Sequence, residues 1–351
     1  MKAPQLLFAF ALAFVLGVAL TVATQHHQES LTRTAPAPAA TDVGDKGGEP
    51  DSNADSIDDS GDKDKDDASA WPDNAPTPEQ VLYAQPKLLQ EAIAKLMPRA
   101  PDKVNLYFVA FAGDGEENVF RNEAEYADKV LTRRFDAAGH DLLLMNNPAT
   151  LDEHPLASLS NLETALKAVG EKMDRDADVL LLFLTSHGTK DHLLYVSMDP
   201  LPLDQIAPDD LADALAKSGI RNKVVIISAC YSGGFIDALR DDSTMIIAAA
   251  RADRPSFGCG ANSEITDFGR AFFVEALNHA DTFGDAFTEA RRLIDAWENR
   301  DGEDHSYPQL VTTPQIDAKL KAWRSGVALG PPVPFTPPAQ PLRADSLTAV
   351  R

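Results

Sequence analysis

Two runs in the middle of the chain are almost wholly apolar, and each stops just short of a reactive side chain. Val179 to Thr185 leads into Ser-His-Gly with His187, and Lys223 to Ser228 leads into Ala-Cys-Tyr-Ser-Gly with Cys230. They belong to a longer alternation of short apolar runs and amphipathic stretches, which predicts βα units around a mostly parallel sheet. Strands are expected at 104–112, 141–145, 179–185, 223–228 and 245–250, with a short last one at 309–312. Helices are expected at 122–138, 159–173 (opened by Ser158 or Ser160 as N-cap), 208–217, 269–278 and 283–298. The third and fourth strands lack an apolar/polar alternation, as expected where helices cover both faces of a sheet. The fold class is α/β.

The ends read differently. An apolar run from Leu6 to Ala23 follows Lys2. It exceeds the roughly 7–15 residues of a usual signal-peptide core and sits at the short end of the roughly 17–25 that span a bilayer. Residues 1–24 are therefore a cleaved signal peptide or an uncleaved membrane anchor, and the sequence leaves both open. Either places the remainder outside the cytoplasm, as a periplasmic or other extracytoplasmic protein. Residues 25–77 form an acidic linker expected to be disordered, because 41–68 is mostly Asp, Gly, Ser and Lys and has too little apolar surface to offset the entropy of ordering. Residues 326–351 are a proline-rich tail, also expected to be disordered. A single domain is left at 78–325.

Composition narrows the chemistry. The chain of 351 residues has a formal charge of -22, which disfavours nucleic acid because phosphate neutralisation needs a basic face. No CxxC or HExxH spacing is present, and no cofactor is expected. Cys230 and Cys259 are the two cysteines. An even pair in an oxidising compartment permits a disulfide, which competes with a catalytic thiol at Cys230.

Ligand sites of open parallel sheets lie beyond the carboxyl ends of the strands. His187 and Cys230 both fall there, and the stretch between them holds a hairpin and a crossover helix, which makes their strands parallel. Taken singly, each residue has an ordinary reading, the cysteine as a small buried apolar group and the histidine as a strand-end polar group. Together they permit a dyad. A histidine within reach takes the thiol proton and later returns it to a leaving amine. The amides of Gly188 and Cys230 are the candidate oxyanion donors. Gly233 and Gly234 allow a turn into a helix whose dipole would favour the thiolate. Pattern alone leaves both readings standing. Ser186 and Ser232 read as turn or cap residues, since the G-x-S-x-G form is absent. His140, His154, His192, His279 and His305 lie outside the paired blocks and read as surface or satisfied side chains.

The blocks Phe183-Leu-Thr-Ser-His-Gly-Thr189 and Ile227-Ser-Ala-Cys-Tyr-Ser-Gly-Gly234 resemble the two signatures of legumain-like (C13) cysteine peptidases of the caspase-like clan, and more specifically a bacterial, membrane-associated branch. The resemblance runs from about Val104 to Thr312. It includes Val119 to Ala127 and Ala250 to Gly260. It implies a caspase-like three-layer α/β/α sandwich, His187 as base, Cys230 as nucleophile, and a peptide or protein as substrate. It also implies a substrate-binding pocket lined by Arg121, Ser256 and Asp267, suited to Asn or Asp before the scissile bond. Asn118 lies one residue out of step with a family asparagine that positions the histidine. The resemblance implies an endopeptidase, with transpeptidation or a non-catalytic binding module as the alternatives.

Overall fold

The computed structural model describes Trp71, residues 75–260 and residues 263–336. The expected signal or anchor segment and nearly all of the acidic linker lie outside the described residues. Among the described residues, no helix is long and apolar enough to cross a membrane.

Six strands form one sheet: β1 (Leu106–Ala112), β2 (Asp141–Met145), β3 (Val179–Thr185), β4 (Asn222–Ser228), β5 (Thr244–Ala248) and β6 (Gln309–Val311). Their order is β2-β1-β3-β4-β5-β6. The first five are parallel and β6 is antiparallel. β1, β3 and β4 are buried at every position, so side chains on both faces need helical cover. On one face Phe108, Phe183, Ile226 and Ile247 pack under α2 (Asn118–Arg134), α6 (Asp267–Gly269, continuing as a π-helix over Arg270–Leu277), α7 (Phe283–Asp301) and α8 (Pro314–Ser325). On the other, Tyr107, Val109, Leu182 and Ile227 pack under α1 (Pro78–Lys95), α3 (Leu159–Lys172), α4 (Pro208–Ser218) and the short α5 (Ile236–Leu239). This is the expected three-layer α/β/α sandwich.

The strand expectations for β2 and β3 match to the residue, and Ser158 caps α3 by accepting from the Asn161 amide. Three helical features differ. α2 starts at Asn118 rather than 122, because its N-cap Glu117 makes no side-chain cap and leaves no capping signature to read. α1 was not expected as a helix. Pro86 in its interior reads as a breaker, yet a reciprocal capping box between Thr77 and Gln80 opens it. α8 was also not expected, although Thr313 caps it and proline occupies its first turn.

The proline-rich segment also differs. Its first part, 326–336, is built into the domain rather than forming a disordered tail from 326. Asn278 brackets Val333, donating to its carbonyl at 2.8 Å and accepting from its amide at 2.7 Å. The Tyr126 hydroxyl donates to the same carbonyl at 2.7 Å, and Phe335 meets the Tyr126 ring edge-on at 5.0 Å. Extended proline-rich backbone has no internal hydrogen bonds to give away, so here the globule supplies the partners. Residues 337–351 lie outside the described residues.

Ending the chain at Ser325 would expose Tyr126 and leave the buried Asn278 side chain with the Tyr126 hydroxyl alone as partner. The expected outcome is a loss of about 3–5 kcal/mol of stability relative to a chain ending at Thr336, read by chemical denaturation.

Candidate active site

The parallel registers set the geometry. Ala112 pairs with Thr185, and Thr185 with Ser228. Two residues past these aligned ends stand Asp114, His187 and Cys230, so three chemically active side chains leave the sheet at one level. The β1/β3 boundary is where the crossovers reverse direction, and an open parallel sheet has its crevice at such a point.

After β4 the chain turns sharply. Tyr231 is left-handed (φ 56°), and its amide donates to the Arg254 carbonyl at 2.8 Å. A 3-10 turn (Ser232–Phe235) and α5 follow. The expected helix after Cys230 is therefore short. Gly188 lies so close that an added Cβ would strike the Cys230 carbonyl. It faces Leu194 across an antiparallel bridge whose hydrogen bonds come from its neighbours, Tyr195 N–H to the His187 carbonyl (2.9 Å) and Thr189 N–H to the Leu193 carbonyl (3.0 Å). Neither the Gly188 nor the Cys230 amide meets a backbone acceptor among the described residues.

His187 Nε2 lies 2.8 Å from Glu117 Oε2 and 3.7 Å from Asp114 Oδ2. Its ring sits against the edge of Phe120. The Glu117 hydrogen bond raises the imidazole pKa above its ordinary value, helped by the Asp114 and Cys230 charges and opposed by burial. Burial pushes the Asp114 carboxyl up to about 6. The Ser256 amide donates to the Cys230 sulfur at 3.2 Å, and as a thiol Cys230 donates to the Ser256 carbonyl at 3.3 Å. The neighbouring Cys259 thiol, the Ser256 backbone and the His187 charge hold the Cys230 thiol down to about 6 against burial. Proximity to Cys230 and partial burial push the Cys259 thiol up. Both cysteines are free thiols, so there is no disulfide, although they share one cleft.

That cleft is narrow, about 10 Å³, and lined by Phe120, His187, Cys230, Ser256, Phe257 and Cys259 among others. Larger grooves, such as the one against α1, contain neither His187 nor Cys230. Ser256 reaches the sulfur through its backbone, not its hydroxyl. Asp267 opens α6, and its amide donates to the Phe257 carbonyl at 3.1 Å. Arg121 does not line the cleft. It is buried in the first turn of α2, with Nη1 on Asn147 at 3.0 Å and Nη2 on Asn122 at 3.3 Å, while Nε makes no hydrogen bond and faces Glu125 Oε1 at 3.8 Å. Asn118 accepts from Asn147 and does not touch His187. Among the histidines read as satisfied, His140 and His192 each keep a buried Nδ1 without a partner.

Residues 156–317 match the profile of the Peptidase C13 family. Over these residues the chain is similar to the legumain-like cysteine peptidases. The match includes His187 and Cys230 but not β1, β2 or α2. A crystal structure of caspase-1 from Spodoptera frugiperda is similar at 18% identity, over 62% of this chain and 95% of that one, with a TM-score of 0.42. No curated protein has detectable similarity to the chain.

Sequence reading missed Glu117 and Asp114, although Asp-Gly-Glu-Glu at 114–117 directly follows the first strand. It also missed the floor of the site. There Glu123, fully buried, accepts from the hydroxyls of Thr185 (2.6 Å) and Thr266 (3.0 Å), and Thr266 contacts Ser228 at 3.1 Å. Burial pushes the Glu123 carboxyl up to about 7.

The two thiols should separate by reactivity. Iodoacetamide is expected to alkylate Cys230 at pH 7, with a rate that falls as pH drops through about 6 and the thiolate is protonated. Cys259 should stay unmodified at neutral pH, and peptide mapping by mass spectrometry reads both.

Proposed function

We propose that the domain is a cysteine endopeptidase working through a His187/Cys230 dyad and a covalent acyl-enzyme. The observation that carries this is the common level of the two side chains past adjacent parallel strands, with the thiol held down to about 6. With Nε2 engaged by Glu117, Nδ1 is the nitrogen left for the Cys230 proton. The thiolate attacks the peptide carbonyl, and the oxyanion is met by the Gly188 and Cys230 amides. The imidazolium protonates the leaving amine as the C–N bond breaks. Water, deprotonated by His187, then opens the thioester and releases the carboxylate. The cleft is smaller than ordinary ligand sites of roughly 300–1,000 Å³, so the segment carrying Ser256, Phe257 and Cys259 moves aside when a peptide enters.

Glu117 is a positioning residue for His187, and Asp114 adds charge behind it. Specificity for Asn or Asp before the scissile bond is assigned to Arg121, Ser256 and Asp267. Arg121 lies one helical turn from Glu117, the partner of His187, and would meet an Asn or Asp side chain on leaving Asn147. The apolar N-terminal run would place this domain outside the cytoplasm, as an anchor or as a cleaved signal.

Cys230→Ala and His187→Ala should each abolish labelling by an electrophilic acyl-type probe and lower peptide cleavage by about 10³-fold or more. Glu117→Gln should retain labelling, lower kcat about a hundredfold and shift the pH profile. If fresh, reduced wild-type protein is not labelled, the dyad reading fails and a binding module takes its place.

In a peptide library, Arg121→Ala should lose the Asn or Asp preference by about tenfold or more in kcat/KM. Unchanged cleavage after those residues would remove Arg121 from the pocket.

A further inference from the structure

A second cluster of ligand-type side chains lies away from the dyad. Asp295 and Glu298 stand three residues apart on the last turns of α7, and His305 follows from the loop after it. His305 Nδ1 is 3.3 Å from Asp295 Oδ1 and 3.3 Å from Glu298 Oε2. The three donor atoms lie within 4.8 Å of one another. Tetrahedral Zn²⁺ with bonds of roughly 2.0–2.2 Å needs donors about 3.3–3.5 Å apart, so both separations to His305 are those of a coordination edge.

Glu298 points independently to a ligand. It is only 4% exposed. Its Oε1 accepts from the Ser306 amide at 2.9 Å, but its Oε2, aimed at His305, is buried with no hydrogen-bond partner. A buried carboxylate oxygen without a partner is costly, and a cation shared with Asp295 and His305 supplies one. Asp267 and Asp301 add negative charge to the neighbourhood. One nitrogen and two carboxylate oxygens suit Zn²⁺ or Co²⁺ better than Ca²⁺, which takes six to eight oxygens.

We propose that Asp295, Glu298 and His305 form a structural site for a divalent transition-metal cation of the Zn²⁺ class, with water as fourth ligand. Binding there releases the Nδ1 proton of His305 where it is present. The ion would fix the turn at 305–307, which reaches toward the dyad by backbone contacts. The Arg251 amide donates to the Ser306 carbonyl at 2.8 Å, and the Arg254 carbonyl accepts from the amide of Tyr231, next to Cys230. The site does not depend on the chemistry at Cys230.

The test uses the full chain carrying Cys230→Ala and His187→Ala, so that the dyad supplies no donor. After chelator treatment and removal of the chelator, Co²⁺ is titrated in by visible absorption. One Co²⁺ per chain with the intense bands of a four-coordinate site, displaced by Zn²⁺, is expected. Zn²⁺ at a hundredfold excess over its Kd should raise Tm by several degrees. His305→Ala should abolish both effects. Asp295→Asn, at a partly exposed position that tolerates the change, should weaken binding at least tenfold. A folded parent that binds no Co²⁺, or binding that survives both substitutions, overturns the proposal.

Discussion

The register between neighbouring parallel strands is the constraint on which the rest depends. Side chains alternate along a strand, so slipping β3 against β4 by one residue would turn His187 or Cys230 to the opposite side of the sheet. The register is locked because both strands are buried on both faces, and a slip would misplace every Leu, Phe and Ile of the two cores. Hydrophobic packing far from any polar group therefore fixes where the imidazole and the sulfur emerge. The same register carries Asp114 out of β1 beside the histidine.

The strand ends supply position, and the loops supply charge. Glu117 holds one side of the imidazole, and the Ser256 backbone holds the sulfur. Each favours the charged form of its partner, so imidazolium and thiolate stabilise one another in a partly buried cleft where Coulomb terms are less screened than in water. Backbone shape contributes too. The left-handed Tyr231 turns the chain away at once, and the missing Cβ of Gly188 lets two strand ends approach closely.

The sandwich was legible in the sequence because buried parallel strands are continuous apolar runs, and β2 and β3 could be read to the residue. His187 and Cys230 were legible as the residues that interrupt such runs. The acid at Glu117 was not, because nothing local marks it. Its partner lies 70 residues away in the chain, and it stands where a helix cap would be expected. Arg121 was expected at the cleft on resemblance, but Asn147, at the end of β2, takes its guanidinium. That contact depends on which strand lies beside β1, which no single segment reveals. The packed stretch 326–336 went unread for a related reason. Its order comes from Asn278 and Tyr126, not from its own prolines.

Glu123 gives the domain a built-in leaning toward one chemical climate. Its carboxyl, clasped by two threonines beneath the reactive edge, keeps its proton until about neutrality in the folded chain. Once unfolded it would release that proton at ordinary carboxylate values. Between those two points the native form holds more protons, so alkalinisation works against it and mild acidity in its favour. As far as this group decides, the molecule is firmest in slightly sour surroundings, the reverse of the acid sensitivity that salt-bridged carboxylates confer.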